Sequence, residues 1–184
     1  MVIYELKDFE NFKRLPKKGR YLRYYLAGFA DGESSFRVSI KKLPTAKFGW
    51  VIDPEFQVYQ HKENKIILQI FQRVLNCGRI HPKPGNPDVL VYSVSNRRSL
   101  SEKVIPFFEK YKILSNKWYD FLKFREIVKA MERKEHLKKE GFEKIVKIAF
   151  SMNKLGKQRK YSLEEILLGF PRDHTWETEG EKSL

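Results

Sequence analysis

One cysteine, Cys77, stands among 184 residues. A lone thiol excludes an internal disulfide and a thiolate zinc cage and suits a reducing compartment, so Cys77 is read as packing at a helix end. The four histidines, His61, His81, His136 and His174, fall on different expected elements without metal-ligand spacing, which argues against a histidine-based metal site. No apolar run approaches the length of a membrane span, and Met1 to Arg20 mixes charges of both signs without the apolar stretch of a signal peptide. A soluble intracellular protein, in the cytoplasm, nucleoid or an organelle, is expected. Glycine-rich phosphate loops with their lysine are missing, as is any recognisable setting for a serine or cysteine nucleophile, so nucleotide hydrolysis and covalent acyl chemistry are set aside.

Negative charge is the scarce sign. Against 23 acids the chain carries 37 lysines and arginines, a net +14 with a pI near 9.7. A field of that sign favours polyanions such as nucleic acid or an acidic membrane surface. With 41% hydrophobic and 14% aromatic residues, the chain is long and apolar enough to bury one domain's core.

The hydrophobic period changes within a short stretch. From Tyr21 to Ala30 the pattern is helical; Phe36, Val38 and Ile40 then alternate with Arg37, Ser39 and Lys41 as a strand does. Asp31, Gly32 and Glu33 lie between, which places two carboxylates where a helix gives way to a sheet, with Gly32 suited to a sharp reversal at positive φ and Ala27 and Gly28 leaving bare backbone on one helix face. A second strand is expected over Val51 to His61, with Pro54 a possible interruption, then an amphipathic helix over 63–76 ended near Gly78. A second hairpin pairs Arg79–Lys83 with Val89–Ser95 across Pro84-Gly85-Asn86-Pro87. Helices follow over 98–109, broken or ended at Pro106, from Lys117 to Arg133, and from Lys139 to Asn153. Residues 1–17 read as an N-terminal arm, 18–155 as the folded domain and 156–184 as a C-terminal extension.

Four strands with helices gathered on one side make an α+β architecture, αββαββα, whose antiparallel sheet shows its other face to a partner. On that face the alternation puts Arg37, Ser39, Lys41, Gln57, Tyr59, Arg79, His81, Lys83, Ser93 and Ser95. Long donors and acceptors at alternate positions suit base edges in a DNA major groove: Arg37 and Lys41 for guanine, Gln57 for adenine, the serines for either. No acid is expected among them.

The segment Leu26-Ala27-Gly28-Phe29-Ala30-Asp31-Gly32-Glu33 resembles the motif of the LAGLIDADG homing endonucleases, with Glu33 in place of the usual second aspartate and Ser34 in place of the final glycine. Phe56-Gln57-Val58-Tyr59-Gln60 resembles the family's second strand, and Ile105-Pro106-Phe107-Phe108 through Ser115-Asn116-Lys117 resembles the stretch that brings a lysine to the cleavage centre. Asn64 stands where a further basic residue is often found, with Lys65 beside it. Leu167 to Asp173 only superficially repeats the motif, since Pro171 stops a helix there.

The resemblance implies a four-stranded DNA-binding saddle and a single-motif chain that pairs its helix with a second copy through Leu26, Ala27, Gly28 and Asp31. It implies a divalent cation, Mg²⁺ or another such as Mn²⁺, held by Glu33 with help from the Gly32 carbonyl, water positioned by Gln60, and charge stabilised by Lys117, with Lys112 the second candidate. Asp31 is expected to cap or to pair across the interface. The function implied is a double-strand break in a long pseudopalindromic site, by an enzyme encoded within an intron or intein. The competing readings are a non-cleaving relative acting as an intron RNA maturase or DNA-binding regulator, and a structural basic RNA-binding protein.

Overall fold

A computed structural model of the protein describes residues 19–152 and 159–168; the expected arm over 1–17 and the last residues of the extension lie outside these. Helix α1 (Gly19–Glu33) is followed by β1 (Ser34–Lys42), β2 (Trp50–His61), α2 (Ile66–Leu75), β3 (Arg79–Lys83) and β4 (Asn86–Val94). A helical stretch, α3, then joins Arg97–Ser99, a π turn over Leu100–Val104 and Ile105–Lys110; α4 (Lys117–Glu132), α5 (Lys139–Phe150) and a short α6 (Leu163–Leu168) complete the order. All strands are antiparallel in the order β1-β2-β4-β3. The α+β expectation holds, with the C-terminal helices added to αββαββα.

Alternation along β1 turns Phe36 and Val38 inward, where they meet Ile52, Phe56 and Val58 of β2, Tyr92 and Val94 of β4, and the apolar sides of all the helices. Phe36 is the hub. Its ring lies 5.1 Å from Phe56, 5.3 Å from Phe108 and Phe121, and 5.4 Å from Phe124, so one side chain ties the sheet to α3 and α4. Edge-to-face and tilted pairs of this kind add attraction beyond the area they bury.

Several expectations are corrected. Helix α1 does not stop at Ala30: it runs to Glu33 and β1 begins at Ser34 with no intervening turn, and Gly32 is not among the positive-φ glycines, which are Gly49, Gly78 and Gly85. Pro54 interrupts nothing. It pairs with Val38 inside a continuous β2, and β4 joins that strand only from Phe56, so at Pro54 the strand has a ladder neighbour on one side alone. The second hairpin turns on Pro84-Gly85 alone, with Lys83 opposite Asn86 and Gly85 at φ +77°, as a Pro-Gly pair in a type II turn requires. Asn86 and Pro87 therefore belong to β4. Pro106 does not end the helix: it falls just after the π turn, and the α-helical backbone runs on to Lys110.

Residues 159–168, expected within a C-terminal extension, contribute to the common core, while residue 155 lies outside the described residues. Ile166 is 1% exposed within the common core, and the Tyr161 ring meets Trp50 edge-on at 4.8 Å. Ser162 begins α6 with a capping box: its hydroxyl accepts the Glu165 N–H at 3.0 Å and its own N–H donates to the Glu165 carboxylate. The part of the extension over 159–168 thus packs as part of the domain.

Emptying the hub measures how much the core depends on it. Phe36→Ala is expected to lower unfolding stability by about 3–5 kcal/mol, read from the urea midpoint at unchanged slope.

Candidate functional site

Two sets of hydrogen bonds, all donated by the Leu114–Lys117 segment and all accepted by the end of α1, join that helix to the start of α4. The Asp31 carboxylate accepts the Leu114 N–H at 3.1 Å and the Ser115 N–H at 3.0 Å, and the Ser115 hydroxyl donates to its other oxygen. The Lys117 ammonium donates to the Ala30 carbonyl at 3.0 Å and the Gly32 carbonyl at 3.3 Å. The last carbonyls of a helix have no partner inside it and carry its negative end, so a lysine there satisfies both needs. Burial disfavours the charged form of Asp31, but the Ser115 hydroxyl, the two backbone N–H donors and the Lys117 charge outweigh it and hold its carboxyl below the usual range. Burial pushes Lys117 below the ordinary lysine range, against the pull of Asp31, Glu33 and Asp120.

Glu33 is the last residue of α1, exposed, with no hydrogen bond or ion pair among the described residues. Its charge still acts on Lys117. Gln60 lies two residues past the Ser34–Val58 pair, on the side where β1 gives way to α1; its amide oxygen accepts the His61 N–H at 2.7 Å. Lys112 is placed elsewhere, its ammonium 5.8 Å from the Trp118 ring centre. Lys117, not Lys112, is the lysine at the helix foot. Glu33 and the Gly32 carbonyl are hard oxygen donors, and one or two carboxylates with water and phosphate oxygens are what Mg²⁺ takes from a protein. The donor set therefore fits such an ion. Among the described residues no three His, Cys, Asp or Glu side chains gather into a protein-only cage.

Of the residues expected to face a second copy, Leu26 and Ala27 are buried in the chain's own core, and Asp31 is engaged by Leu114 and Ser115. Gly28 alone is outward. With Gly32 and the half-exposed Tyr21, Tyr24 and Tyr25 it forms a stripe at helical spacing. A side chain added at Gly28 or Gly32 would meet nothing within 4 Å.

The outer sheet face is more crosslinked than alternation alone suggests. Arg37 donates to Ser39 at 2.9 Å and to the Gln57 amide oxygen at 3.5 Å, and the Tyr59 hydroxyl donates to that same oxygen. Burial raises the Tyr59 pKa, with Arg37 opposing and Glu55 adding to it, so the phenol stays a donor. The side chains of His81 and Ser93 meet at 3.1 Å, and Lys83 stands 5.6 Å from the Tyr59 ring centre. Gln57 and Ser93 are only 7% and 2% exposed, so neither is the open donor expected; Ser95 lies past the end of β4. Arg79, Lys41 and Lys83 are open.

The face also carries two acids that the expectation omitted. Because β2 is continuous, Asp53 and Glu55 share the outward parity of Gln57 and lie opposite Ser39 and Arg37. Lys41 pairs with Asp53, and Arg37 Nε stands 3.9 Å from Glu55. Carrying the alternation through Pro54 would have found both. Beside β1, Tyr119, Lys123, Lys160 and Tyr161 wall a groove whose floor is Arg37, Ser39 and Lys41; Lys123 itself caps α5 by donating to the Ser151 carbonyl at 2.7 Å.

These features define an α+β scaffold with a polar, largely basic sheet face and a carboxylate–lysine centre at the foot of its first helix. The chain belongs to the LAGLIDADG endonuclease family, whose profile matches residues 26–128, more than half its length. It is 33% identical to homing endonuclease I-ApeII of Aeropyrum pernix across 88% of this chain and 97% of the other. It is 49% identical to DNA endonuclease I-CeuI of Chlamydomonas moewusii across 48% of this chain, but spans only 41% of that relative's length. Among solved structures, an archaeal intron-encoded homing endonuclease, I-Vdi141I, complexed with DNA matches with a TM-score of 0.77 at 35% identity, over 83% of this chain and 96% of that one. The group I intron-encoded I-CeuI complexed with DNA matches at 0.76 and 32%, over 88% and 87%. No helix among the described residues is long and apolar enough to cross a membrane.

The pH dependence of the latch follows from the depressed Asp31 pKa. Its contribution to stability is complete above the ordinary aspartate range and is lost as pH falls through the folded-state value. Wild type and Asp31→Asn should differ in melting temperature at neutral pH and converge as pH falls below about 4; a gap independent of pH would remove the Asp31 charge from the latch.

Proposed function

We propose that the chain is a homing endonuclease, intron-encoded, that makes a double-strand break in a long pseudopalindromic DNA site by metal-dependent phosphodiester hydrolysis. The observation that carries this reading is the exposed Glu33 carboxylate at the end of α1, where the Ala30 and Gly32 carbonyls hold the Lys117 ammonium within reach of its charge and β1 leads directly onto a face of donors suited to base edges. The DNA with which the two solved relatives are complexed supports the choice of polyanion, as does the net charge of +14.

Glu33 and the Gly32 carbonyl would hold the cation, Mg²⁺ or a similar ion such as Mn²⁺. Bound there, such an ion lowers the pKa of water and neutralises charge on the phosphate and the leaving oxygen. The Lys117 ammonium is held at the helix foot and adds positive charge beside the same phosphate. Gln60 orients water through its amide, whose nitrogen makes no hydrogen bond among the described residues. Arg37, Lys41, Arg79 and Lys83 hold the duplex, and Asp31 positions the Lys117 turn rather than touching the ion.

One carboxylate per chain calls for a second copy to cut the second strand. The stripe of Tyr21, Tyr24, Tyr25, Gly28 and Gly32 on α1 is the surface proposed to pair in a homodimer, with backbones approaching at the glycines. Gly28→Leu is expected to turn the dimer into monomers by analytical ultracentrifugation while the fold's circular dichroism is kept.

Cleavage is tested on a plasmid carrying the host sequence with its insertion removed. Linear product is expected with Mg²⁺ and none with chelator. Glu33→Gln should lower the rate at least about 100-fold while DNA binding persists; cleavage that survives this change would end the metal role of Glu33, and binding of intron RNA without any cleavage would favour a maturase.

A further inference from the structure

We infer that Asp53 and Glu55 determine sequence specificity by accepting hydrogen bonds from cytosine. The inference rests on the DNA-cleaving function proposed above. A chain with 14 excess positive charges has placed two carboxylates in the outer sheet face, opposite Ser39 and Arg37. Facing a phosphate ridge, each would be repelled. The β1–β2 patch therefore lies over a groove, and the phosphate contacts fall to the open cations around it.

Neither acid is consumed by holding its neighbour. Arg37 is anchored by Ser39 at 2.9 Å and by the Gln57 amide oxygen, whereas its Nε stands 3.9 Å from Glu55, too far for a hydrogen bond. Glu55 is 18% exposed, enough for a base edge to reach it. Asp53 shares one oxygen with Lys41 and keeps its other acceptor sites. In the major groove the amino group of cytosine is the donor that Asp and Glu accept, while Arg and Lys read the guanine partner. Each acid–base pair, Arg37 with Glu55 and Lys41 with Asp53, thus matches the two edges of a G·C pair.

The spacing sets a register. Residues two apart on a strand are separated by about 6.6–6.8 Å, close to two steps of about 3.4 Å along DNA. Two G·C preferences about two base pairs apart are expected in each half-site.

The test is selection from a randomised duplex library by the full chain, in chelator so that bound DNA stays intact, with wild type, Glu55→Gln and Asp53→Asn compared at one salt concentration. Wild type should prefer C over other bases by roughly 5- to 100-fold at the two positions. Glu55→Gln should lose one preference, with adenine gaining there because an amide reads adenine; Asp53→Asn should lose the other; all remaining positions should stay as in wild type. The inference is overturned if both variants leave the pattern of preferences intact and only change affinity uniformly across sequences. A wild-type chain that recovers no preferred sequence overturns sequence-specific recognition itself, and melting temperatures equal to wild type exclude misfolding as the cause of a lost preference.

Discussion

The reciprocal latch between α1 and α4 is the interaction on which the site depends. Asp31 gathers the N–H groups of the turn at Leu114 and Ser115, and Lys117, two residues on, returns its charge to the carbonyls of Ala30 and Gly32. Two segments more than 80 residues apart are thereby held with opposite charges crossing the joint. Each half satisfies what the other leaves open: the turn has donors, the helix end has acceptors. Among the described residues Glu33 makes no hydrogen bond or ion pair beside this joint, while Asp31 holds the structural contacts.

That division of labour between two neighbouring acids follows from helical geometry. Asp31 and Glu33 are two residues apart on α1, so they point in different directions around the axis. One turns toward α4 and is engaged; the other stays at the exposed end, where the sheet face begins. The same geometry sends Leu26, Ala27 and Ala30 into the core while Gly28 and Gly32 stay open on the far side.

Much of this was legible from residue order. Period changes located α1, β1 and the two hairpins, and the motif directed attention to Asp31, Glu33 and Lys117, which the fold places at the end of α1. What failed did so for identifiable reasons. Pro54 looked like a break because proline lacks a ladder donor, yet β2 has one neighbour at that height; the error hid the outward parity of Asp53 and Glu55. Gly32 looked like a turn because glycine allows positive φ, but permission is not use. Leu26 and Ala27 were set on the pairing surface because the motif names residues without saying which way each faces. Spacing could not say which of Lys112 and Lys117 reaches the end of α1, since that contact is closed across the fold. Burial of Gln57 and Ser93 under Tyr59, Arg37 and His81 is likewise a property of neighbours on other strands, invisible to alternation along one.

Helix α1 passes into β1 without a single loop residue. No loop stands between them to absorb a change of direction, so the strand's first pairs, Ser34 with Val58 and Ser35 with Gln57, take their orientation from the helix end itself.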